Sequence, residues 1–253
     1  MKITLLGTGT SQGVPVIACG CEVCMSTNPK DKRLRCSLLI EENENVIVID
    51  SGPDFRQQML RENVKRLDGL VFTHEHKDHV AGMDDIRAFN FFNKKPVDIY
   101  ATERVQKELK REFTYVFDGS QYPGIPQVNI NTIENKPFNV AGVELIPFEV
   151  LHYKLPVLGF RIKDFVYITD ANFIAEEERK KIRAAKILII NALRREEHIS
   201  HFTLSQAIEI IEDLKPEQAY LTHISHQLGL HDEVEKELPA NVHLAFDGLS
   251  FGV

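Results

Sequence analysis

Two kinds of hydrophobic pattern alternate along the chain. Short apolar runs rich in Val, Ile, Leu and Phe, each closed by Gly, Pro, Asp or Asn, predict strands. Lys2 to Leu6 is the first; Arg35 to Ile40 and Val46 to Asp50 form a hairpin around the polar turn Glu41 to Asn45, and Leu67 to Phe72 and Val97 to Tyr100 follow. From Val128 the strand pattern returns, over Val128 to Ile133, Val143 to Phe148, Gly159 to Ile162, Phe165 to Thr169, Lys186 to Ile190 and a last run ending near His223, which suggests a second sandwich half. Helical spacing lies between them: Phe55 to Val64, Asp84 to Phe92, Thr102 to Arg111, Glu176 to Arg183 and Leu204 to Leu214, with Thr102 and Thr203 placed to cap their helices. Residues 113–127 carry neither period, hold Tyr115, Phe117 and Tyr122 with two prolines and two glycines, and read as an irregular segment: buried loop packing, a lid or a dimer contact. No linker composition interrupts the series, so the expectation is one domain over 1–253 made of two related halves, roughly 1–127 and 128–253.

Composition narrows the function. At 253 residues and 43% hydrophobic the chain can bury a continuous core. A net charge of −7 and a pI of about 5.8 disfavour binding to long nucleic acid through bulk charge, because such binding rests on releasing counterions from many phosphates. No stretch reaches the roughly 18 apolar residues that span a bilayer, and Met1 to Gly7 is too short for a signal peptide, so a cytoplasmic protein without membrane contact is expected.

The densest chemistry is Thr73-His74-Glu75-His76-Lys77-Asp78-His79, directly behind the strand at Leu67 to Phe72. In extended chain, residues two apart point the same way, which sets His74 beside His76, while Asp78 and His79 turn onto a second direction. Such a segment can serve two neighbouring metals. His152 and Asp170 each stand at the end of a later predicted strand, and Thr222-His223-Ile224-Ser225-His226 ends the last one. Asp50 closes the second strand of the hairpin. Near the start, Gly7-Thr8-Gly9-Thr10-Ser11-Gln12-Gly13 spaces its glycines unlike a dinucleotide loop and leads into a proline-containing, non-helical stretch; it reads as a turn whose backbone N–H groups and Thr10 or Ser11 face the site. Cys19, Cys21 and Cys24 could close three corners of a tetrahedral zinc site, needing a fourth ligand from elsewhere, and Cys36 reads as a packed core thiol.

His74-x-His76-x-Asp78-His79 resembles the signature of the metallo-β-lactamase fold superfamily of hydrolases. That resemblance implies an α/β fold, a four-layer αβ/βα sandwich of two mixed sheets with a dinuclear metal site at one edge. It assigns His74, His76 and His152 to one metal, Asp78, His79 and His223 to the other, Asp170 as the bridge, and Asp50 as a residue behind the ligands that orients an imidazole. Two divalent ions, Zn²⁺ or Mn²⁺ with Fe²⁺ also chemically suited, are thereby implied. With the cysteine triplet and Thr222 to His226, the sequence is similar to the phosphoribosyl cyclic phosphodiesterases of the PhnP family, in which a structural zinc takes three cysteines and a histidine matching Cys19, Cys21, Cys24 and His226 here. His201-Phe202-Thr203 matches the context of the family's catalytic acid, so His201 and Asp78 are the expected catalytic residues.

The expected activity is hydrolysis of a small, cyclic phosphodiester such as a phosphoribosyl 1,2-cyclic phosphate. The alternatives are a tRNA 3′-processing nuclease, whose extended tRNA-gripping arm is not found in the sequence, and a non-catalytic protein of the pyrroloquinoline-quinone biosynthesis type, which often lacks some of the active-site histidines. A homodimer is a possible assembly. Arg194 and Arg195 could grip a terminal phosphate or form a solvated surface beside Glu196 and Glu197, and His198 could assist His201.

Overall fold

The computed structural model describes residues 1–119 and 122–253, so the segment read as a possible lid over 113–127 lies partly outside the described residues; within it Thr114–Phe117 forms one helical turn. In the first part of the chain the strands are β1 (Lys2–Gly7), β2 (Ser37–Glu42), β3 (Asn45–Ile49), β4 (Gly69–Val71), β5 (Val97–Ala101) and β6 (Val128–Thr132). In the second they are β7 (Phe138–Val140), β8 (Val143–His152), β9 (Leu155–Ile162), β10 (Phe165–Tyr167), β11 (Ile187–Asn191), β12 (Gln218–Thr222), β13 (Val242–Leu244) and β14 (Ser250–Gly252). They make two seven-stranded sheets, ordered β14-β1-β2-β3-β4-β5-β6 and β13-β12-β11-β10-β9-β8-β7. Each is mixed: β1, β2 and β3 pair antiparallel and β3 to β6 parallel, while β7 to β10 pair antiparallel and β10 to β13 parallel.

Strand alternation explains the four layers. In β3, Ile47 and Ile49 enter the core between the sheets, with Phe160, Phe165 and Tyr167 from the opposite sheet, while Val48 faces outward. There it meets Phe55 and Met59 of the helix Phe55–Arg61, Phe89 of Arg87–Asn93, and Val105 and Leu109 of Glu103–Glu112. The second sheet repeats the scheme, with Val166, Leu188 and Ile190 packed on Ala207, Ile211 and Leu214 of Leu204–Leu214. Central strands buried on both faces need continuous apolar runs, which is why the sequence announced them.

Two strands depart from the expected division. β6 pairs in parallel with β5 and closes the first sheet, so the changeover between sheets falls after Thr132 instead of at Val128. β14 then crosses back to pair antiparallel with β1. A parallel partner needs a long crossover, and the chain between β5 and β6 supplies one, so strand succession alone did not show that β6 returns to the first sheet. Among the described residues, no helix is long and apolar enough to cross a membrane.

Candidate metal centre

The site lies where parallel strands of both sheets end. After β4, Phe72 and Thr73 continue extended, His76 sits at the start of the turn Lys77–Val80, and this turn redirects Asp78 and His79. β8 ends on His152, Asp170 lies just beyond β10, and His223 directly follows β12. The sequence-predicted ligands converge: His74, His76 and His152 bring ligand atoms within 4.8 Å of one another, as do Asp78, His79, Asp170 and His223. Asp170 lies between the two sets. Its Oδ1 is 3.4 Å from His79 Nε2 and 3.2 Å from His223 Nδ1, while its Oδ2 is 4.0 Å from His74 Nε2 and 3.2 Å from His201 Nε2.

Whether these residues suit metal ions is tested by their hydrogen bonds. His74 Nδ1 donates to Thr73 Oγ1 at 2.9 Å, His79 Nδ1 to Asp50 Oδ2 at 2.8 Å, His152 Nδ1 to the Ser200 carbonyl at 2.8 Å, and His223 Nε2 to Thr10 Oγ1 at 3.4 Å. The opposite nitrogens, His74 Nε2, His79 Nε2 and His223 Nδ1, are buried and have no hydrogen-bond partner among the described residues. A buried polar atom left without a partner costs about 1–3 kcal/mol. One nitrogen tied from behind and the other bare toward a shared centre is the arrangement of metal-bound imidazoles.

Charge points the same way. Burial pushes His74 well below its ordinary value and His223 down to about 3, so both are neutral at neutral pH, as metal-binding imidazoles must be. Burial would raise Asp78 and Asp170, but neighbouring imidazoles, His79 for the first and His223 with His79 for the second, override it and hold both carboxylates below the usual range. His79 runs the other way: burial pulls it down, but Asp78, Asp170 and Asp50 outweigh that and hold it well above its ordinary value, so a cation bound among these carboxylates would displace its Nε2 proton. Buried carboxylates that stay ionised call for cations. The donor set fits two divalent ions, with imidazoles and carboxylates suiting Zn²⁺ or Mn²⁺.

Asp50 follows β3 directly and lies behind His74 and His79. Buried and held at φ +64°, it accepts the Thr73 amide on Oδ1 at 2.9 Å, and the Thr73 hydroxyl and His79 on Oδ2. Since Thr73 in turn accepts from His74, one carboxylate orients an imidazole in each ligand set. Sequence reasoning did not single out Thr73. Two glycines allow this approach: Ser51 donates its amide to His79 O at 2.8 Å and Gly82 to Ser51 O at 2.7 Å, and a Cβ on Gly52 would lie 2.0 Å from Asp78 O. Gly52→Ala is expected to destabilise the protein by about 1–3 kcal/mol and to lower active-site metal content; unchanged denaturation and metal analysis would show that the contact relaxes freely.

The glycine-rich turn departs from expectation. Gly9 and Thr10 spend their amides on Leu34 O and Ile224 O, at 2.8 and 3.1 Å, and Ile224 donates to Thr8 O at 2.9 Å. Only the Thr10 side chain reaches the site, through His223, whereas Ser11 is exposed. The turn pins the segment after His223, which sits at φ +55°.

The cysteine loop ends against the same segment. Cys19, Cys21 and Cys24 Sγ lie 3.4, 3.3 and 3.5 Å from His226 Nδ1. The Cys24 amide and His226 draw the Cys21 thiol down to about 6, favouring thiolate. This donor set suits a closed tetrahedral zinc, separate from the paired site. Cys21→Ser is expected to remove that zinc and, for zinc at a hundred- to a thousandfold above its Kd, cost about 3–4 kcal/mol, a fall in Tm of roughly 6–16 °C, with the other metals retained. Loss of all metal on elemental analysis would contradict the two-site arrangement.

His201 is buried beside the ligands, two residues before the Thr203 cap, and its ring stacks on His223 with centroids 4.7 Å apart. Its Nδ1 lies 3.1 Å from both Ser200 Oγ and His198 Nδ1. Arg194 donates to Gln227 Oε1 and to the Glu196 and Glu197 carbonyls, and Arg195 to Leu228 O and Glu237, so both are spent on loop structure. Cys36 is a core thiol as expected, pushed up to about 12 by burial.

Comparison with known proteins agrees with this fold. Residues 45–224 match the model of the beta-lactamase superfamily domain. A solved structure described as a new diphosphatase from the PhnP family is 38% identical, with a TM-score of 0.93 over 99% of this chain and 96% of that one. The chain belongs to the β-lactamase superfamily, and within it to the PhnP family. A Porphyromonas gingivalis protein named octanoyltransferase is 40% identical over 98% of this chain but 51% of its own length, and the chain spans about half the length of the curated relatives it matches. The zinc-bound PqqB of Methylobacterium extorquens, 17% identical with a TM-score of 0.82 over the whole of both chains, shares the fold.

Proposed function

We propose that the protein is a metal-dependent phosphodiesterase acting on a small, cyclic phosphodiester of the phosphoribosyl 1,2-cyclic phosphate type. The observation that carries this reading is the placement of Asp170, with one carboxylate oxygen against His79 and His223 and the other facing His74 and His201. An aspartate there suits two ions held side by side. His74, His76 and His152 would hold one ion and Asp78, His79 and His223 the other, and the pair would supply an activated water and a clamp on the oxygens of an in-line displacement at phosphorus.

The chain's own residues then provide orientation and proton transfer. Thr73 and Asp50 fix the imidazoles of His74 and His79, and the Ser200 carbonyl fixes His152. His201, which shares a candidate donor group with His152 and Asp170 but stands outside the two ligand sets, would protonate the leaving oxygen through Nε2. Hydrolysis breaks one P–O bond, and the oxygen released takes up one proton; in a cyclic diester it stays on the same product molecule.

The net charge of −7 disfavours a precursor tRNA as substrate, and the filled ligand set favours catalysis over a non-catalytic role. Octanoyl transfer, named for a relative twice as long, would call for a reactive thiol or similar nucleophile; Cys36 is buried with a raised pKa, and the other three thiols converge on His226. The test is turnover by metal-loaded protein of a 5-phosphoribosyl 1,2-cyclic phosphate, bis-p-nitrophenyl phosphate, 2′,3′-cyclic nucleotides and precursor tRNA. Cleavage of the small diesters is expected; cleavage of precursor tRNA alone would overturn the reading. A cytoplasmic location and a homodimer form part of the same proposal.

A further inference from the structure

Three neighbouring parallel strands, β10, β11 and β12, point their carboxyl ends at the site. The outer two deliver ligands, Asp170 and His223. The central one delivers none; it ends on Asn191, which is fully buried and pairs in register with Thr222, the residue before His223. A buried amide at such a place has a partner to explain it. Asn191 Oδ1 accepts the Ala171 amide at 3.0 Å, and Asn191 Nδ2 donates to the Ala171 carbonyl at 2.9 Å. The side chain thereby mimics a strand and closes a two-bond clamp on the residue directly after Asp170.

The clamp reaches further. The Ala171 carbonyl also accepts the Phe202 amide at 2.8 Å, so the residue after the carboxylate is bonded to the residue after His201. Next to Asn191, Ala192 donates to Thr222 O at 2.9 Å and Leu193 to Phe202 O at 3.0 Å. Asp170, His201 and His223 are thus all hung from the end of one ligand-free strand.

We infer that Asn191 is a positioning residue: its clamp on Ala171 sets the Asp170 carboxylate at its place between the two ligand sets and fixes its 3.2 Å separation from His201. Its side-chain bonds go to the Ala171 backbone, one residue beyond the Asp170 carboxylate. Aligned backbone bonds of this kind hold a site within the fraction of an ångström that productive geometry requires, and residues behind metal ligands typically contribute 10–100-fold in metal affinity or activity. The inference rests on the reading of Asp170 as a shared ligand.

The test uses the full chain and Mn²⁺ as probe. Asn191→Ala removes both bonds, and Asn191→Asp keeps the shape and the acceptor while losing the Nδ2 donor. Each is expected to retain one zinc at the cysteine loop and to bind Mn²⁺ about 10–100-fold more weakly, with the exchange coupling between the two manganese ions, read by electron paramagnetic resonance, reduced or lost. On a diester substrate kcat should fall while KM holds. In the unaltered protein, the Asn191 side-chain amide resonances should be protected from exchange and should shift when diamagnetic Zn²⁺ fills the site; this reading stands even if Asn191→Ala does not fold. Wild-type Mn²⁺ affinity and coupling in folded variants, or an Asn191 amide that exchanges freely and ignores metal, would overturn the inference. Metal binding is read without substrate, so a protein that binds Mn²⁺ as expected but cleaves no diester would overturn the functional reading alone.

Discussion

Asp170→Asn should leave a folded protein that holds its cysteine-bound zinc and loses nearly all hydrolysis. Asparagine keeps the size of the side chain and can still accept the Thr169 hydroxyl, which donates to Asp170 Oδ1 at 2.8 Å. What disappears is the negative charge on which both ligand sets border. Stabilisation of charge at phosphorus by the metal pair supplies several kcal/mol, so turnover should drop about 10²–10⁴-fold or more, each tenfold being about 1.4 kcal/mol. Active-site metal should fall below two ions per chain. A variant with full metal and more than a tenth of the activity would show that Asp170 is not the shared ligand.

His201→Ala is expected to separate chemistry from metal binding. His201 Nε2 is 3.2 Å from Asp170 Oδ2 and near His152, so its position admits a ligand as well as a proton donor. The two roles predict opposite metal contents. As proton donor to the leaving oxygen, its loss should lower kcat about 10²–10⁴-fold, with both active-site ions retained. A substrate with a leaving group as acidic as p-nitrophenol needs that proton less and should lose less. Loss of an ion from the variant, or an equal loss with both kinds of leaving group, would remove His201 from the acid role.

Much of this site could be read from the sequence because of where ligands sit in such a fold. Buried parallel strands are unbroken apolar runs, and the first ionisable residue after each falls at the rim, one step past a threonine; His74, Asp170 and His223 stand there, and the superfamily resemblance gave them their expected roles. Asn191 carried the same signal, a polar residue closing a buried strand, and passed unremarked because asparagine is a poor metal ligand and its partner, the Ala171 backbone, is 20 residues away in sequence. Thr73 was hidden likewise, its role existing only once Asp50 from the neighbouring strand is beside it.

Other features were out of reach for physical reasons. Gly52 and Gly82 matter through contacts between segments about 30 residues apart, which no local pattern encodes. The turn at Gly7 to Gly13 was read as facing the site, yet its amides were already committed to Leu34 and Ile224. Ser250–Gly252 is too short and too polar to register as a strand; pairing with β1 alone makes it one.

The central claim is that His74, His76, Asp78, His79, His152, Asp170 and His223 close around two cations. Anomalous diffraction from crystals of metal-loaded protein tests it most directly. Two peaks flanking the Asp170 carboxylate, one within bonding distance of His74, His76 and His152 and the other of Asp78, His79 and His223, are predicted, with a third among Cys19, Cys21, Cys24 and His226. Anomalous density at the cysteine loop alone, under full metal saturation, would contradict the account.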